Sequence, residues 1–223
     1  MKDQWLSDII GANAYTVSPT ESALYTCIFP GFYTVKIPTS DVRLAQKFER
    51  WGFYIVDTAI TMIRPASRVE FIPFKTGIVR PEDFSALVDI AESSFCSRFH
   101  LDPKIDPELA NTIKRVWLGN YLSRTRGDQL FVRREEGKPV GFLAAIIGQW
   151  DRQAAWVIDL IAVAAEARGN GIGVNLIAAY LAYFPALPAI VGTQARNIAS
   201  MALYNKMGFR IAKTEFVLHA HLS

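Results

Sequence analysis

The sequence predicts an α/β (α+β) protein, with a central mixed sheet flanked by helices and a smaller N-terminal α/β unit ahead of it. Three observations carry this expectation. A buried-strand run, Val157-Ile158-Asp159-Leu160-Ile161-Ala162-Val163, passes through a short loop into the glycine-spaced turn Arg168-Gly169-Asn170-Gly171-Ile172-Gly173 and then a helix. Strand and helix patterns alternate along residues 77–223. A helix, a Gly-Phe pair and a strand over Asp41–Ile63 recur 156 residues later over Asn197–His219, with Gly52-Phe53 on Gly208-Phe209 and Thr58 on Thr214.

The totals narrow the function classes. At 223 residues the chain has room for one large domain or two modest ones, and 51% hydrophobic with 20% charged residues describes a globular protein. The 24 basic and 21 acidic residues are dispersed, which argues against a nucleic-acid surface, while the net charge of +3 suits an anionic small molecule. Cys27 and Cys96 are too few for a disulfide framework or a zinc site, and His100, His219 and His221 show no metal spacing with them; no metal is expected. The N-terminus lacks the apolar core of a signal peptide, and no apolar run approaches the ~20 residues that cross a bilayer. The expectation is a cytoplasmic protein with no membrane partner.

Residues 1–76 form the expected first unit. Leu24–Ile28 and Phe32–Ile37 read as strands around Pro30-Gly31. Thr39-Ser40-Asp41 offers a cap for a helix carrying Val42, Leu44, Ala45 and Phe48, Trp51-Gly52-Phe53 stops it, and Tyr54–Ile60 continues as a strand. Arg64-Pro65 to Lys75-Thr76 reads as the linker. The second unit, 77–223, opens with a short strand at Gly77–Arg80 and a helix from Pro81 with Phe84, Leu87, Val88 and Ala91 on its apolar face. An irregular polar segment follows, then a helix from Pro107 to about Tyr121. Leu130–Arg133 and Val140–Ile146 flank a hairpin turn at Glu136-Gly137-Lys138, and Gly148–Arg152 reads as a loop. The glycine-led helix runs to about Phe184. A buried strand at Ala189–Thr193, a helix at Asn197–Met207 and a last strand at Ile211–His219 complete the chain.

The glycine turn is an anion site by its physics. Alternating glycines leave backbone N–H groups uncovered at a helix start, where the dipole favours negative charge, and Arg168 adds a fixed cation. A P-loop would need Lys-Ser or Lys-Thr after the glycines, and a dinucleotide fingerprint would need Gly-x-Gly-x-x-Gly with an acidic residue about 20 positions on. The sequence has neither.

A third pattern fits. Arg168-Gly169-Asn170-Gly171-Ile172-Gly173 resembles the Arg/Gln-x-x-Gly-x-Gly/Ala motif of the GNAT superfamily of acetyl-CoA-dependent N-acetyltransferases. Asn197-Ile198-Ala199-Ser200-Met201-Ala202-Leu203-Tyr204-Asn205-Lys206-Met207-Gly208-Phe209 is similar to that superfamily's Asn-x-x-Ala-x-x-Leu-Tyr-x-x-x-Gly-Phe. The resemblance covers about residues 77–223 and implies the GNAT fold; the 156-residue repeat makes the N-terminal unit either a truncated relative of this domain, without a cofactor site, or a chance match of a common helix-glycine-strand unit. It implies acetyl-CoA as co-substrate, with the pantetheine arm paired to the backbone at Ile161, Ala162 and Val163. The pyrophosphate would lie on Arg168, Gly169, Asn170, Gly171, Ile172 and Gly173, and Asn197 would bond the cofactor chain. Tyr204 would be the general acid for the departing thiolate, a role that a side chain of ordinary pKa ~10 suits. Asp159, the carboxylate within the central strand, is the candidate base; a satisfied buried aspartate is the alternative.

In this superfamily the segment joining the first two helices lines the acceptor pocket. Here Arg98 and Lys104 can pair with phosphate, Phe99 or Trp150 can stack on a ring, Asp102 can anchor an amine or hydroxyl, and His100 supplies an imidazole that is an alternative base if its loop folds over the acceptor. The Ser97-Arg98-Phe99 start, the chain length and the extra N-terminal unit resemble the dTDP-fucosamine acetyltransferases of surface-polysaccharide biosynthesis, which implies a nucleotide-linked amino sugar as the small-molecule acceptor. An amino acid, polyamine, antibiotic or protein amine is the alternative acceptor, and a non-catalytic acyl-CoA-binding module the alternative class. The apolar run Phe216-Val217-Leu218 in the last strand offers pairing across a homodimer.

Overall fold

In a computed structural model that describes residues 1–66, 79–94 and 96–223, eight strands form one mixed sheet in the order Ala14–Val17, Gly31–Pro38, Arg210–Leu222, Tyr54–Arg64, Ala189–Gln194, Gln153–Val163, Lys138–Trp150 and Gln129–Glu135. The elements are α1 (Gln4–Ile10), β1 (Ala14–Val17), β2 (Gly31–Pro38), α2 (Val42–Arg50), β3 (Tyr54–Arg64), α3 (Phe84–Ser94), α4 (Pro107–Leu122), β4 (Gln129–Glu135), β5 (Lys138–Trp150), β6 (Gln153–Val163), α5 (Ile172–Tyr183), β7 (Ala189–Gln194), α6 (Ile198–Lys206) and β8 (Arg210–Leu222). Short 3-10 turns occupy Glu21–Thr26, Pro81–Asp83 and Ala165–Ala167. The helices start where the sequence offers caps: Asp41 Oδ1 accepts from Leu44 N–H, Asp106 Oδ1 from Glu108 N–H and Asn197 Oδ1 from Ser200 N–H. The main core gathers Leu87, Leu118, Phe142, Leu143, Leu176 and Phe209 between sheet and helices.

The repeat seen in the sequence has a structural counterpart. β3 lies between β7 and β8, and β8 lies between β2 and β3, so each half of the chain lends its last strand to the other half's sheet. The registers agree under the same 156-residue offset. β2 meets β8 at Pro38↔Glu215, and β7 meets β3 at Gln194↔Ala59, the residues that the offset pairs with them. β3 skips Val56 and β8 skips Ala212, again equivalent positions, and Ala59↔Glu215 lies where the two halves exchange. Both halves also carry a parallel pair outside the exchanged strand, β1 with β2 and β6 with β7. The two expected units therefore share one hydrogen-bonded sheet. The expected junction at residue 76 falls outside the described residues.

Four local expectations differ from the structure. Leu24–Ile28 is not a strand: Glu21–Thr26 closes into a 3-10 turn, with Leu24 buried and Tyr25 and Ile28 exposed. The place beside β2 is taken instead by β1, which the sequence reading missed. Gly77 and Ile78 lie outside the described residues; Val79 and Arg80 are not in a strand, and Arg80 N–H bonds Asp83 Oδ2. Gly148–Trp150 continues β5, and the turn narrows to Asp151-Arg152, both left-handed at φ 47° and 65°. β8 pairs on both sides, so Phe216-Val217-Leu218 is interior and presents no edge to a second copy. Among the described residues no helix is long and apolar enough to cross a membrane.

Candidate active site

β6 and β7 pair only from Trp156↔Ala189 to Ile158↔Val191. Asp159 is the cause: against β5 the register passes from Ala145↔Ile158 to Ala144↔Leu160, leaving Asp159 as an extra residue in a bulge. Beyond it the two strands diverge, so Leu160–Val163 has no partner on the β7 side. Two cavities open at this fork. One, about 550 Å³, runs along Ile161–Val163 to the glycine turn; the other, about 320 Å³, lies toward β3 and α4. Ile161, Asn197, Ser200 and Tyr204 line both.

The first cavity is elongated and closes on a helix start that is open to an anion. Gly169 and Gly171 sit at φ 83° and 76°, and a Cβ at either would meet nothing within 4 Å; their space is open toward the cavity. Gly171 is the N-cap of α5 and has no side chain to cap the first N–H groups of that helix, which stay available to an anion. Gly173 has a different reason to lack a side chain: a Cβ would come 2.9 Å from Leu203 of α6. Ile161, Ala162, Val163, Arg168, Gly169, Gly171, Ile172, Gly173, Asn197 and Tyr204 all line this cavity, and Asn170 does not. Lys206, which the sequence reading missed, adds a cation to the lining. Arg168 turns back, donating from Nε to the Val163 carbonyl at 3.0 Å and from Nη2 to Ser94 Oγ at 3.1 Å. The Val163 carbonyl is thus engaged by the chain itself. Asn197 uses its side-chain oxygen as the α6 cap, which leaves its NH₂ to donate toward the cavity. Tyr204 is buried; burial pushes its hydroxyl pKa up, a hydrogen bond with Ser200 partly opposes this, and the group stays protonated at neutral pH.

The second cavity carries the acceptor-side candidates unequally. Arg98 and Phe99 line it, Phe99 buried against Phe32 with the Arg98 guanidinium 4.5 Å over its ring. His100 does not: its Nδ1 accepts from Ser97 N–H at 3.1 Å, so Nε2 carries the proton and donates to Asn111 Oδ1 at 2.9 Å. Trp150 sits at the β5–β6 hairpin tip, opposite Gln153, and lines neither cavity. Asp159 lines the cavity with its carboxylate occupied: Oδ2 accepts from Trp117 Nε1 at 2.8 Å, Tyr121 OH at 2.6 Å and Arg126 Nε at 3.2 Å. This geometry matches the satisfied buried aspartate.

Sequence reading missed the rest of the wall. Lys36, Val217 and Asp57 are neighbours across β2, β8 and β3 and all line the cavity. Lys114 of α4 joins them, buried at 8% exposure with Nζ 4.6 Å from the Trp117 ring centroid. Burial and the nearby Arg98 charge pull its pKa down to about 8, against Asp159. Burial, then Arg98, lowers Lys36 as well. Arg98 Nε is buried and has no hydrogen-bond partner among the described residues. The only signal for Lys114 was a lysine three residues before Trp117 on an apolar helix face; for Lys36 and Asp57 there was none.

The segment carrying Arg98 is tied down by one carboxylate. Asp102, 1% exposed, accepts from Tyr54 OH (2.6 Å) and Lys104 N–H (2.9 Å) at Oδ1, and from His219 Nδ1 (2.8 Å) and His221 Nε2 (3.0 Å) at Oδ2. Burial alone would raise its pKa; these donors outweigh it and hold the carboxyl well below the usual range. His219 is pulled below an imidazole's ordinary value by burial, and its Nε2 has no hydrogen-bond partner among the described residues. Among the described residues, no His, Cys, Asp and Glu side chains group as metal ligands.

Known proteins share the fold and the family of this chain. The chain is 26% identical over 210 residues to the spore coat polysaccharide biosynthesis protein SpsD of Bacillus subtilis, covering 86% of this chain and 71% of that protein. Its fold matches a functionally unknown conserved protein of Staphylococcus epidermidis with TM-score 0.60 at 18% identity, covering 95% of this chain and 84% of that one. It also matches a GCN5-related N-acetyltransferase of Sphaerobacter thermophilus with TM-score 0.57 at 15% identity, covering 85% and 59%. Residues 86–209 match the acetyltransferase (GNAT) family model, a span that contains the fork, the glycine turn and Tyr204, and the chain belongs to that family of acetyl-CoA-dependent N-acetyltransferases.

Proposed function

We propose that the chain transfers the acetyl group of acetyl-CoA to the 4-amino group of a nucleotide-linked amino-deoxysugar in surface-polysaccharide biosynthesis. The observation that carries this reading is the charge of the second cavity, which meets the first cavity at Tyr204. There Lys36, Arg98 and Lys114 outnumber the carboxylates Asp57 and Asp159, the latter already bonded to Trp117, Tyr121 and Arg126. Three cations around a partly desolvated space favour an acceptor with a diphosphate and disfavour a polyamine or a basic peptide. The name of the Bacillus subtilis relative, a polysaccharide biosynthesis protein, points the same way.

In this reading Asn197 and the glycine turn hold the donor, with the α5 N–H groups on its pyrophosphate. Tyr204 protonates the sulfur as the C–S bond breaks. Its hydroxyl is made less acidic by burial, and the thiolate formed in the same desolvated space has its proton affinity raised for the same reason, so transfer stays feasible. A non-catalytic acyl-CoA-binding module would have no use for a buried hydroxyl at the meeting point of two cavities.

The test is acetyl transfer by the purified chain against nucleotide amino sugars, free amino sugars, amino acids, polyamines and peptides. Product with nucleotide amino sugars, and a higher KM for the free sugar, is the expected result. Product from peptides or polyamines alone overturns it.

A further inference from the structure

The reaction needs a group that takes a proton from the acceptor ammonium, and the carboxylate first expected to do so is bound by three side chains. Asp57 of β3 is the other carboxylate in the acceptor cavity. Its Oδ1 accepts from Thr58 N–H at 2.7 Å, and no other hydrogen bond from a described residue reaches the side chain. It stands at the β3 bulge, where Val56 is skipped and the chain is re-aimed. The next residues fix its place relative to the donor: Ala195 N–H donates to the Thr58 carbonyl at 2.9 Å, and Asn197 follows two residues later. Asp57 is thus held beside the N-terminus of α6, the helix that carries Tyr204.

From this arrangement we infer that Asp57 is the general base for the acceptor amine, contributed by the N-terminal part of the chain, with Lys36, two strands away along the same row and lining the same cavity, gripping the anionic remainder of the acceptor. The inference rests on the acetyl-transfer reading above. The ammonium gives one proton to Asp57, directly or through one water. The freed nitrogen lone pair forms the C–N bond to the thioester carbonyl carbon, and the C–S bond then breaks with its electron pair going to sulfur. Tyr204 gives that sulfur a proton and regains one from the nitrogen, which ends as a neutral amide. Asp57 returns its proton to solvent. One ammonium and one thioester become one amide, one thiol and one released proton.

The surroundings suit the task. Burial raises the Asp57 carboxyl above the usual range, opposed by Thr58 N–H and by the Arg196 and Arg98 charges, which makes the group a better proton acceptor. The charges that act on it are Arg196 from the β7–α6 turn and Arg98 from the acceptor segment; Lys36 of β2 and Lys114 of α4 line the same cavity, and the Lys213–Glu215 pair of β8 lies beyond Lys36. These cations also disfavour a bound ammonium, so they push its proton toward the one carboxylate available. The placement gives residues 1–66 a chemical role.

The experiment compares wild type, Asp57→Asn and Asp57→Glu with the amine that the wild-type screen identifies. Asp57→Asn is expected to lower kcat by about 10²-fold or more, the usual span of general-base catalysis. Its residual rate should climb about tenfold per pH unit below the acceptor ammonium's own pKa, because only pre-neutralised amine then reacts. Acetyl-CoA affinity by calorimetry and melting temperature should stay at the wild-type values, and Asp57→Glu should recover part of the rate. Three outcomes overturn the inference: a kcat within about threefold of wild type, an unchanged pH profile, or a loss of acetyl-CoA affinity that accounts for the defect. A wrong acceptor class shows in the wild-type screen alone; a wrong base shows only in the variants.

Discussion

Removing the Asp102 carboxylate is expected to loosen the acceptor segment and spare the donor site. Its four donors come from three places, the segment itself (Lys104), β3 (Tyr54) and β8 (His219 and His221), so the side chain clasps residues 96–105 onto the sheet. Asp102→Ala leaves two imidazoles and a phenol without their acceptor in a site where both Asp102 and His219 are fully enclosed. Losing one partner of a buried charged cluster costs about 3–5 kcal/mol. For a chain of this size each kcal/mol shifts Tm by about 2–4 °C, so a fall of roughly 6–20 °C is expected. Asp102→Asn is milder for a geometric reason. Its carbonyl still serves Tyr54 and Lys104, and its NH₂ can donate to imidazoles that change tautomer, which His219 can do because its Nε2 is uncommitted. What remains is the difference between charged and neutral hydrogen bonds, about 2–4 kcal/mol in total. Differential scanning fluorimetry measures both values, and steady-state kinetics should show the acceptor KM rising while acetyl-CoA affinity holds. Melting temperatures within about 2 °C of wild type for both variants would refute the clasp.

Three further predictions follow from single sites. Gly171→Val and Gly11→Val place a branched side chain at the same left-handed backbone, each with open space at Cβ, so both should lose about 1–2 kcal/mol. Only Gly171→Val should weaken acetyl-CoA binding, by more than about tenfold in calorimetry since its methyls enter the N–H cradle; equal affinities would remove the anion site. Tyr204→Phe should lower kcat by about 10²-fold with acetyl-CoA affinity intact, and unchanged turnover would take Tyr204 out of the acid's role. Stability should decline as pH falls below about 6.5, because the unfolded His219 imidazole takes up a proton at its ordinary pKa that the folded site, with its lowered value, refuses. The contribution is complete above that pH and is lost as pH falls toward the folded value. Thermal unfolding from pH 8 to 5 measures it, and an equally steep decline in His219→Gln would falsify the assignment.

Much of this protein was legible because its determinants are local. The glycine turn needs two positive-φ residues within three positions, and Gly169 and Gly171 announce them in any context. The caps at Asp41, Asp106 and Asn197 act within three residues of themselves. The Asn197–Tyr204 spacing is two turns of one helix. Candidate side chains in irregular segments were harder. His100 and Trp150 have chemistry suited to a pocket, yet one is spent holding its own loop to α4 and the other lies at a hairpin tip, because the chain turned at Asp151-Arg152 instead of earlier.

By itself, then, the sequence determined the donor half: the anion cradle, the helix that bears Tyr204, the family, and the internal repeat that pairs Asp41–Ile63 with Asn197–His219. The tertiary structure decided the acceptor half. Whether β6 and β7 diverge depends on a bulge at Asp159 that exists only relative to the register of β5. The acceptor wall depends on an exchange of last strands that sets Lys36, Val217 and Asp57 in one row from three strands, two of them from the N-terminal part. Asp102 meets His219 across 117 residues. Backbone conformation is dictated by neighbours along the chain, whereas a pocket is dictated by neighbours across it. That is why the residues lining the cavity at the glycine turn could be read in order, and those lining the second cavity emerged only once the sheet was assembled.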